Sequence, residues 1–187
     1  MKRSILIISS LALLAVLGFV FTGDAQSENS TSKQVARSEK QEVRRQRRAE
    51  RLAAYERHID SLVESRNFRF MPQTMQQMPA GMMRNLVNPN YELTVMDGVV
   101  DVCLPFLKGY TPPYYPVVFN YILPSVSNYT TVQHEGGWTV TFSSWLYGGS
   151  NYIFTLDIYS ASGSAVLTVE SLADNTVVYS GYITQVY

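Results

Sequence analysis

The sequence predicts an α+β protein that is mainly antiparallel β: a long N-terminal helix followed by a curved sheet of eight or nine strands, either a flattened barrel or a sandwich. Three observations predict it. Charge divides along the chain, with 10 Lys/Arg and 6 Asp/Glu in residues 33–66 against 3 and 7 in residues 67–187. Aromatic residues divide too: 12 of the 13 tyrosines and both tryptophans lie at or after Tyr91, a composition that suits pleated, half-buried surfaces. From Tyr91 onward, segments of alternating polarity are separated by short turns, and short connections demand antiparallel neighbours.

Taken in order, Met1-Lys2-Arg3 supplies a positive start, and Ile5 to Phe21 is an apolar run without a charge. Residues 1–25 read as a signal peptide, with Gly23 and Ala25 as the small residues before a cleavage that leaves Gln26 first. The rival reading is an uncleaved anchor, since the run is long enough to span a bilayer. No Cys follows the run to carry a lipid anchor. The expected location is therefore the periplasm or cell envelope, at the inner membrane if the segment stays uncleaved. Residues 26–32 are rich in Ser, Asn and Thr and read as a flexible spacer.

Residues 33–66 contain neither Gly nor Pro and are rich in Arg, Glu, Gln and Ala, which predicts a charged helix. Leu52, Tyr55, Ile59, Leu62 and Val63 recur at helical spacing, so its second half should pack on something. Around Arg44, Arg45, Arg47 and Arg48 there is almost no apolar face. These arginines are the candidates for contact with an anionic surface such as lipid headgroups. The blander reading is a solvated charged helix that spaces the domain from the membrane. No aromatic residues interleave them, and with 15 basic against 15 acidic residues overall, no nucleic-acid partner is expected.

Residues 67–187 read as the antiparallel β domain. Asn67 to Phe70 alternates and Met71-Pro72 ends it, after which the methionine-rich stretch to Met83 reads as a connection. Tyr91 to Met96 and Val99 to Leu104 flank Asp97-Gly98, which satisfies the positive backbone angles of a type I′ hairpin. Further strands follow at Val117 to Ile122, Asn128 to His134, Trp138 to Tyr147, Asn151 to Tyr159, Ala165 to Leu172 and Val177 to Val186. Trp145 and Tyr147 have the opposite parity to Trp138, Val140 and Phe142, and a bulge near Ser143-Ser144 would restore the register. The lone Cys103 permits no internal disulfide, and between Val102 and Leu104 it reads as a small buried hydrophobe.

Pro105 to Pro116 reads as an exceptional loop whose prolines restrict the backbone while Phe106, Tyr110, Tyr114 and Tyr115 offer aromatic faces. Those four are the candidate ligand contacts, for a small apolar or carbohydrate ligand or an envelope protein. The competing expectation is that the rings fold down and plug the barrel mouth. No phosphate loop, nucleophile elbow, zinc or calcium motif is present, so no catalytic residue, metal site or cofactor is expected. A hydrolase built on His134 is an alternative, but His134 and Glu135 are neighbours on a strand and point apart. A purely structural envelope module, tethered by its basic helix, is another.

Leu104-Pro105-Phe106 followed by Gly109-Tyr110, the Trp138 to Phe142 strand, and Tyr179-Ser180-Gly181-Tyr182-Ile183 together resemble the bacterial domain-of-unknown-function family 4251. The resemblance covers roughly residues 45–187 and implies an exported or lipid-anchored envelope protein with no established activity. Here the family's Leu-Pro-Tyr-Phe-Gly-like segment reads Leu104-Pro105-Phe106-Leu107-Lys108-Gly109, with the aromatic pair reduced and the glycine displaced.

Overall fold

The computed structural model describes residues 27–109, 113–146 and 149–186. The expected signal segment, residues 1–25, lies outside them. The chain falls into two units, residues 1–45 and 46–187. Helix α1 (Ser27–Glu64) begins six residues earlier than the composition indicates, so residues 27–32 are its first turns rather than a spacer. Ser, Asn and Thr lower helix propensity by only about 0.5 kcal/mol each, too little to hold back so long a helix. Among the described residues no helix is long and apolar enough to cross a membrane.

In the larger unit ten strands form one antiparallel sheet in the order β5-β4-β3-β1-β10-β9-β8-β7-β6, with β2 beside β1. They are β1 (Phe68–Gln77), β2 (Arg84–Asn85), β3 (Glu92–Met96), β4 (Val99–Lys108) and β5 (Tyr115–Leu123), then β6 (Ser127–His134), β7 (Gly137–Leu146), β8 (Ser150–Tyr159), β9 (Ser164–Ser171) and β10 (Val177–Gln185). The sheet is not closed into a barrel: β5 and β6 end the order although only Pro124 to Val126 separate them in sequence. It nevertheless curls far enough to bring distant strands together. Tyr152 on β8 meets Phe106 on β4 and Phe119 on β5 edge-on, with ring centroids 5.6 and 5.0 Å apart. From β10, the Tyr179 hydroxyl donates to the Pro105 carbonyl at 2.5 Å, and full burial raises its pKa.

Alternation fills the concave side. Val100, Val102, Leu104 and Phe106 of β4 belong to one buried cluster with Phe154, Leu156 and Ile158 of β8. Burying each such side chain stabilises the fold by about 1.5–3 kcal/mol. The Asp97-Gly98 turn is as expected: both residues have positive φ, 51° and 82°, and Met96 pairs with Val99.

The prolines did not end strands where the sequence reading placed breaks. β1 runs through Pro72, and β4 and β5 extend through Pro105 and Pro116. Each proline has an open flank. Between β3, which ends opposite Phe70, and β2, which begins opposite Thr74, Pro72 has only β10 beside it. The β3 ladder stops at Cys103, two residues short of Pro105, and Pro116 lies on a terminal strand of the sheet. A missing N–H costs little where no ladder bond is due. Gly181 makes the approach at Pro72 possible, since a Cβ there would lie 2.1 Å from the Met71 carbonyl oxygen.

Two more expectations are corrected. Pairing between β7 and β8 is continuous from Gly137↔Tyr159 to Leu146↔Ser150, so no bulge lies between them at Ser143-Ser144. The irregularity falls in β6 between Ser127 and Thr130, where Asn128 has φ 55°. Cys103 is half-buried on the outer face rather than in the core, because Val102 and Leu104 take the inward positions. Partial burial, then the Asp101 and Glu92 carboxylates, raise its thiol pKa.

The helix docks only by its last turns. Ile59, Leu62 and Val63 are buried, whereas Leu52 and Tyr55 remain exposed. Asp60 Oδ1 accepts from Trp138 Nε1 at 2.8 Å and from Ser160 Oγ at 2.6 Å. Gly163, at φ 65°, lets the helix approach, because a Cβ there would meet Tyr55 Oη at 2.4 Å. Asn67 N–H donates to Leu62 O and Arg66 N–H to Val63 O, a Schellman closure with Arg66 in the left-handed position at φ 52°.

Candidate functional site

Among the described residues, the sequence-predicted aromatic set is not brought together. Phe106 faces the core, stacked on Phe119 at 4.5 Å, because β4 continues through it with unbroken alternation. It is a packing residue and offers no outward face. Tyr110 lies outside the described residues. Tyr114 and Tyr115 are exposed, the latter at the start of β5, and neither lines the clefts described below. Arg44, Arg45, Arg47 and Arg48 are all exposed on α1. His134 is exposed at the end of β6 with Nδ1 3.2 Å from the Glu135 carbonyl. Among the described residues no group of three His, Cys, Asp or Glu side chains is placed to hold a metal ion.

The structure brings other residues together around the β9–β10 connection, residues 172–176. Two side chains pin this segment. Asp174, only 4% exposed, accepts through Oδ1 from the Gly109 N–H at 3.0 Å and through Oδ2 from the Tyr152 hydroxyl. Asn175 donates from Nδ2 to the Gly109 carbonyl. The Met78 N–H donates to Thr176 O at 2.8 Å on the other side. A buried carboxylate with these partners fixes the turn. Leu172, two residues before it, is fully exposed.

Clefts lie on both sides of Leu172. One, of about 520 Å³, runs between Trp145, Asn151, Ile153 and Glu170. The other, of about 780 Å³, reaches Met78, Pro79, Asn175 and Val178. Both are lined by Glu170, Ser171, Leu172 and Thr176. Register explains the first wall: Trp145 pairs with Asn151 and Ile153 with Glu170, and all four occupy the outward positions of β7, β8 and β9. Trp145 is 68% exposed and Ile153 41%.

A third, smaller cleft of about 260 Å³ lies where the helix ends, between Arg66, Asp97 and Tyr129. The Arg66 guanidinium stands 4.4 Å over the Tyr129 ring. Burial raises the Tyr129 pKa, and the Thr131 hydroxyl and the Arg66 charge offset part of that rise.

None of Trp145, Ile153, Glu170 or Leu172 was a sequence candidate. The parity reversal at Trp145 was the available signal: an aromatic side chain of outward parity on a strand whose other face is core.

A helix-capped, incompletely closed antiparallel sheet with an apolar cleft on its outer face defines the class of protein. The family model "Domain of unknown function (DUF4251)" matches residues 50–183, and the chain belongs to that family. A crystal structure of a DUF4251 family protein from Bacteroides eggerthii DSM 20697 is similar in fold, with a TM-score of 0.55 and 17% identity, over 71% of this chain and 89% of that one. No curated protein matches the chain in sequence.

Proposed function

We propose that this is an exported, noncatalytic protein of the bacterial cell envelope whose β domain binds a ligand or partner on its outer face, around Trp145 and Leu172. One observation carries the reading: Trp145, Ile153 and Leu172 stand exposed around one cleft. Contiguous exposed apolar surface on a folded domain marks a contact site. A surface tryptophan contributes nothing to the core, and tryptophan is enriched where partners bind. The noncatalytic part rests on the side chains at hand. Asp174 is engaged by Gly109 and Tyr152, which leaves Glu170 as the carboxylate facing the clefts. Export rests on the charged start and apolar run of residues 1–25.

Mass spectrometry of the full chain, made in its own cells and purified from the envelope fraction, tests both parts. The wild type should begin near Gln26 and carry a bound mass, whereas a Trp145→Ala/Leu172→Ala variant should keep its fold and lose that mass. Both positions are exposed, so the substitutions should shift stability by less than about 0.5 kcal/mol each. An identical mass profile for the two proteins rules out this site.

A further inference from the structure

We propose that the ligand of this face is a neutral oligosaccharide chain, laid across Leu172 from the Trp145 cleft into the Met78–Pro79 cleft; this rests on the binding reading above. The two clefts have Glu170, Ser171, Leu172 and Thr176 in common, so they adjoin. Each alone, at about 520 and 780 Å³, is of the size that holds a compact small molecule. Joined over a single side chain, they suit an extended ligand with repeated units.

Charge narrows the chemistry. Among the described lining residues there is no Lys or Arg in either cleft, and the outward carboxylate is Glu170. A phosphate, sulfate or uronate would meet a like charge with no cation to offset it. Nucleic acids, lipid headgroups and acidic polysaccharides are disfavoured on that ground.

Backbone availability narrows it further. Extended peptides commonly dock by adding a strand to an open sheet edge. Here β8 is paired on both sides, by β7 and β9, and β9 by β8 and β10. No sheet edge is open along β8, and only the short 170–176 connection, beyond the last β9–β10 pair at Val169, has main-chain groups outside the ladders, so side chains carry most of the recognition. An alkyl chain laid over a fully exposed Leu172 would stay largely in water.

What remains fits a sugar. A pyranose presents an apolar face of C–H bonds and a rim of hydroxyls that both donate and accept. Trp145 and Ile153 offer the matching flat apolar surface. Asn151, Ser171, Asn175 and Thr176 offer amides and hydroxyls that likewise donate and accept, and Glu170 accepts.

The test titrates the full chain with cellohexaose, maltohexaose and chitohexaose, with glucose as the single-unit control and hexagalacturonate as the acidic one. Tryptophan fluorescence and calorimetry read the binding. At least one neutral hexasaccharide should bind about tenfold or more tighter than glucose, because it reaches both clefts. Trp145→Ala should weaken it by about tenfold or more, as loss of an aromatic anchor does. Hexagalacturonate should bind at least about fivefold more weakly, and Glu170→Gln should narrow that gap. No binding of any neutral hexasaccharide, a preference for the acidic one, or indifference to Trp145→Ala would overturn the proposal. So would concentration-dependent dimerisation in sedimentation that Leu172→Ala abolishes, since a second copy would then occupy the face. A Trp145-dependent bound mass that is not a sugar sinks the oligosaccharide and leaves the binding site standing; no Trp145-dependent mass sinks both.

Discussion

Asp60 is the place to test how the helix holds the sheet. Its Oδ1 accepts two hydrogen bonds, from Trp138 Nε1 at 2.8 Å and Ser160 Oγ at 2.6 Å, and both donor residues are 8% exposed. Asp60→Ala removes the acceptor and leaves both donors without it. A hydrogen bond to a charged group contributes about 1.5–3 kcal/mol, and an indole N–H cannot turn elsewhere. Ser160 can rotate its hydroxyl, so its share is nearer to about 1 kcal/mol. The expected loss is about 2.5–4 kcal/mol. Asp60→Asn keeps the oxygen without the charge and should lose about 1 kcal/mol. Urea unfolding followed by far-ultraviolet circular dichroism gives the values, with an unchanged slope showing that the midpoint reports stability. A double-mutant cycle with Trp138→Phe should return a coupling of about 1–2 kcal/mol. If Asp60→Ala stays within about 0.5 kcal/mol of wild type with no coupling to Trp138, the contact is ornamental and the helix is held by Ile59, Leu62 and Val63 together with Tyr55, whose hydroxyl donates to the Ser162 carbonyl.

Two other consequences are open to measurement. Gly163→Ala combines a left-handed backbone at φ 65° with a Cβ 2.4 Å from Tyr55 Oη, so it should cost about 1–3 kcal/mol, of which Tyr55→Ala in the same chain recovers the steric part; a loss under about 0.5 kcal/mol would refute the close approach. Cys103 has its pKa raised above the usual 9.0 by partial burial and by Asp101 and Glu92, so the thiolate forms only as pH climbs past that value. Iodoacetamide should therefore label it slowly at neutral pH, and Asp101→Asn should move the rise in rate to lower pH; an unchanged profile removes the electrostatic part of the argument.

Much of the fold could be read from alternation. The strand pattern after Tyr91, the Asp97-Gly98 hairpin and the buried end of the helix needed only local rules, because each side chain's face follows from its parity. What escaped depended on neighbours. Pro72 and Pro105 interrupt nothing because adjacent strands stop short of them, and a single chain segment does not state where its neighbours end. Cys103 illustrates the opposite failure. Its flanking Val102 and Leu104 already occupied the inward parity with Val100, which places the sulfur outward, but the apolar neighbours outweighed the period. At Trp145 the reversed parity has two explanations, a bulge that restores the register or an outward ring, and alternation alone does not choose between them. The continuous β7–β8 register decides against that bulge and leaves Trp145 on the outer face, where the proposed site lies.

The exposed side chains at that face are held there by buried polar ones. Leu172 is fully exposed while Asp174, two residues on, is 4% exposed and Asn175 is 7% exposed. An apolar side chain on a free loop would turn inward or against the sheet, since removing it from water stabilises it by about 25 cal/mol per Å². Here Asp174 ties the segment to Gly109 and Tyr152, Asn175 ties it to Gly109, and Thr176 O receives the Met78 N–H. Those bonds hold residues 174–176 in place, which limits how far the backbone at Leu172 can shift inward. A ridge kept out in water by its own anchors is preorganised: a ligand that covers it gains the apolar contact without the cost of ordering the loop.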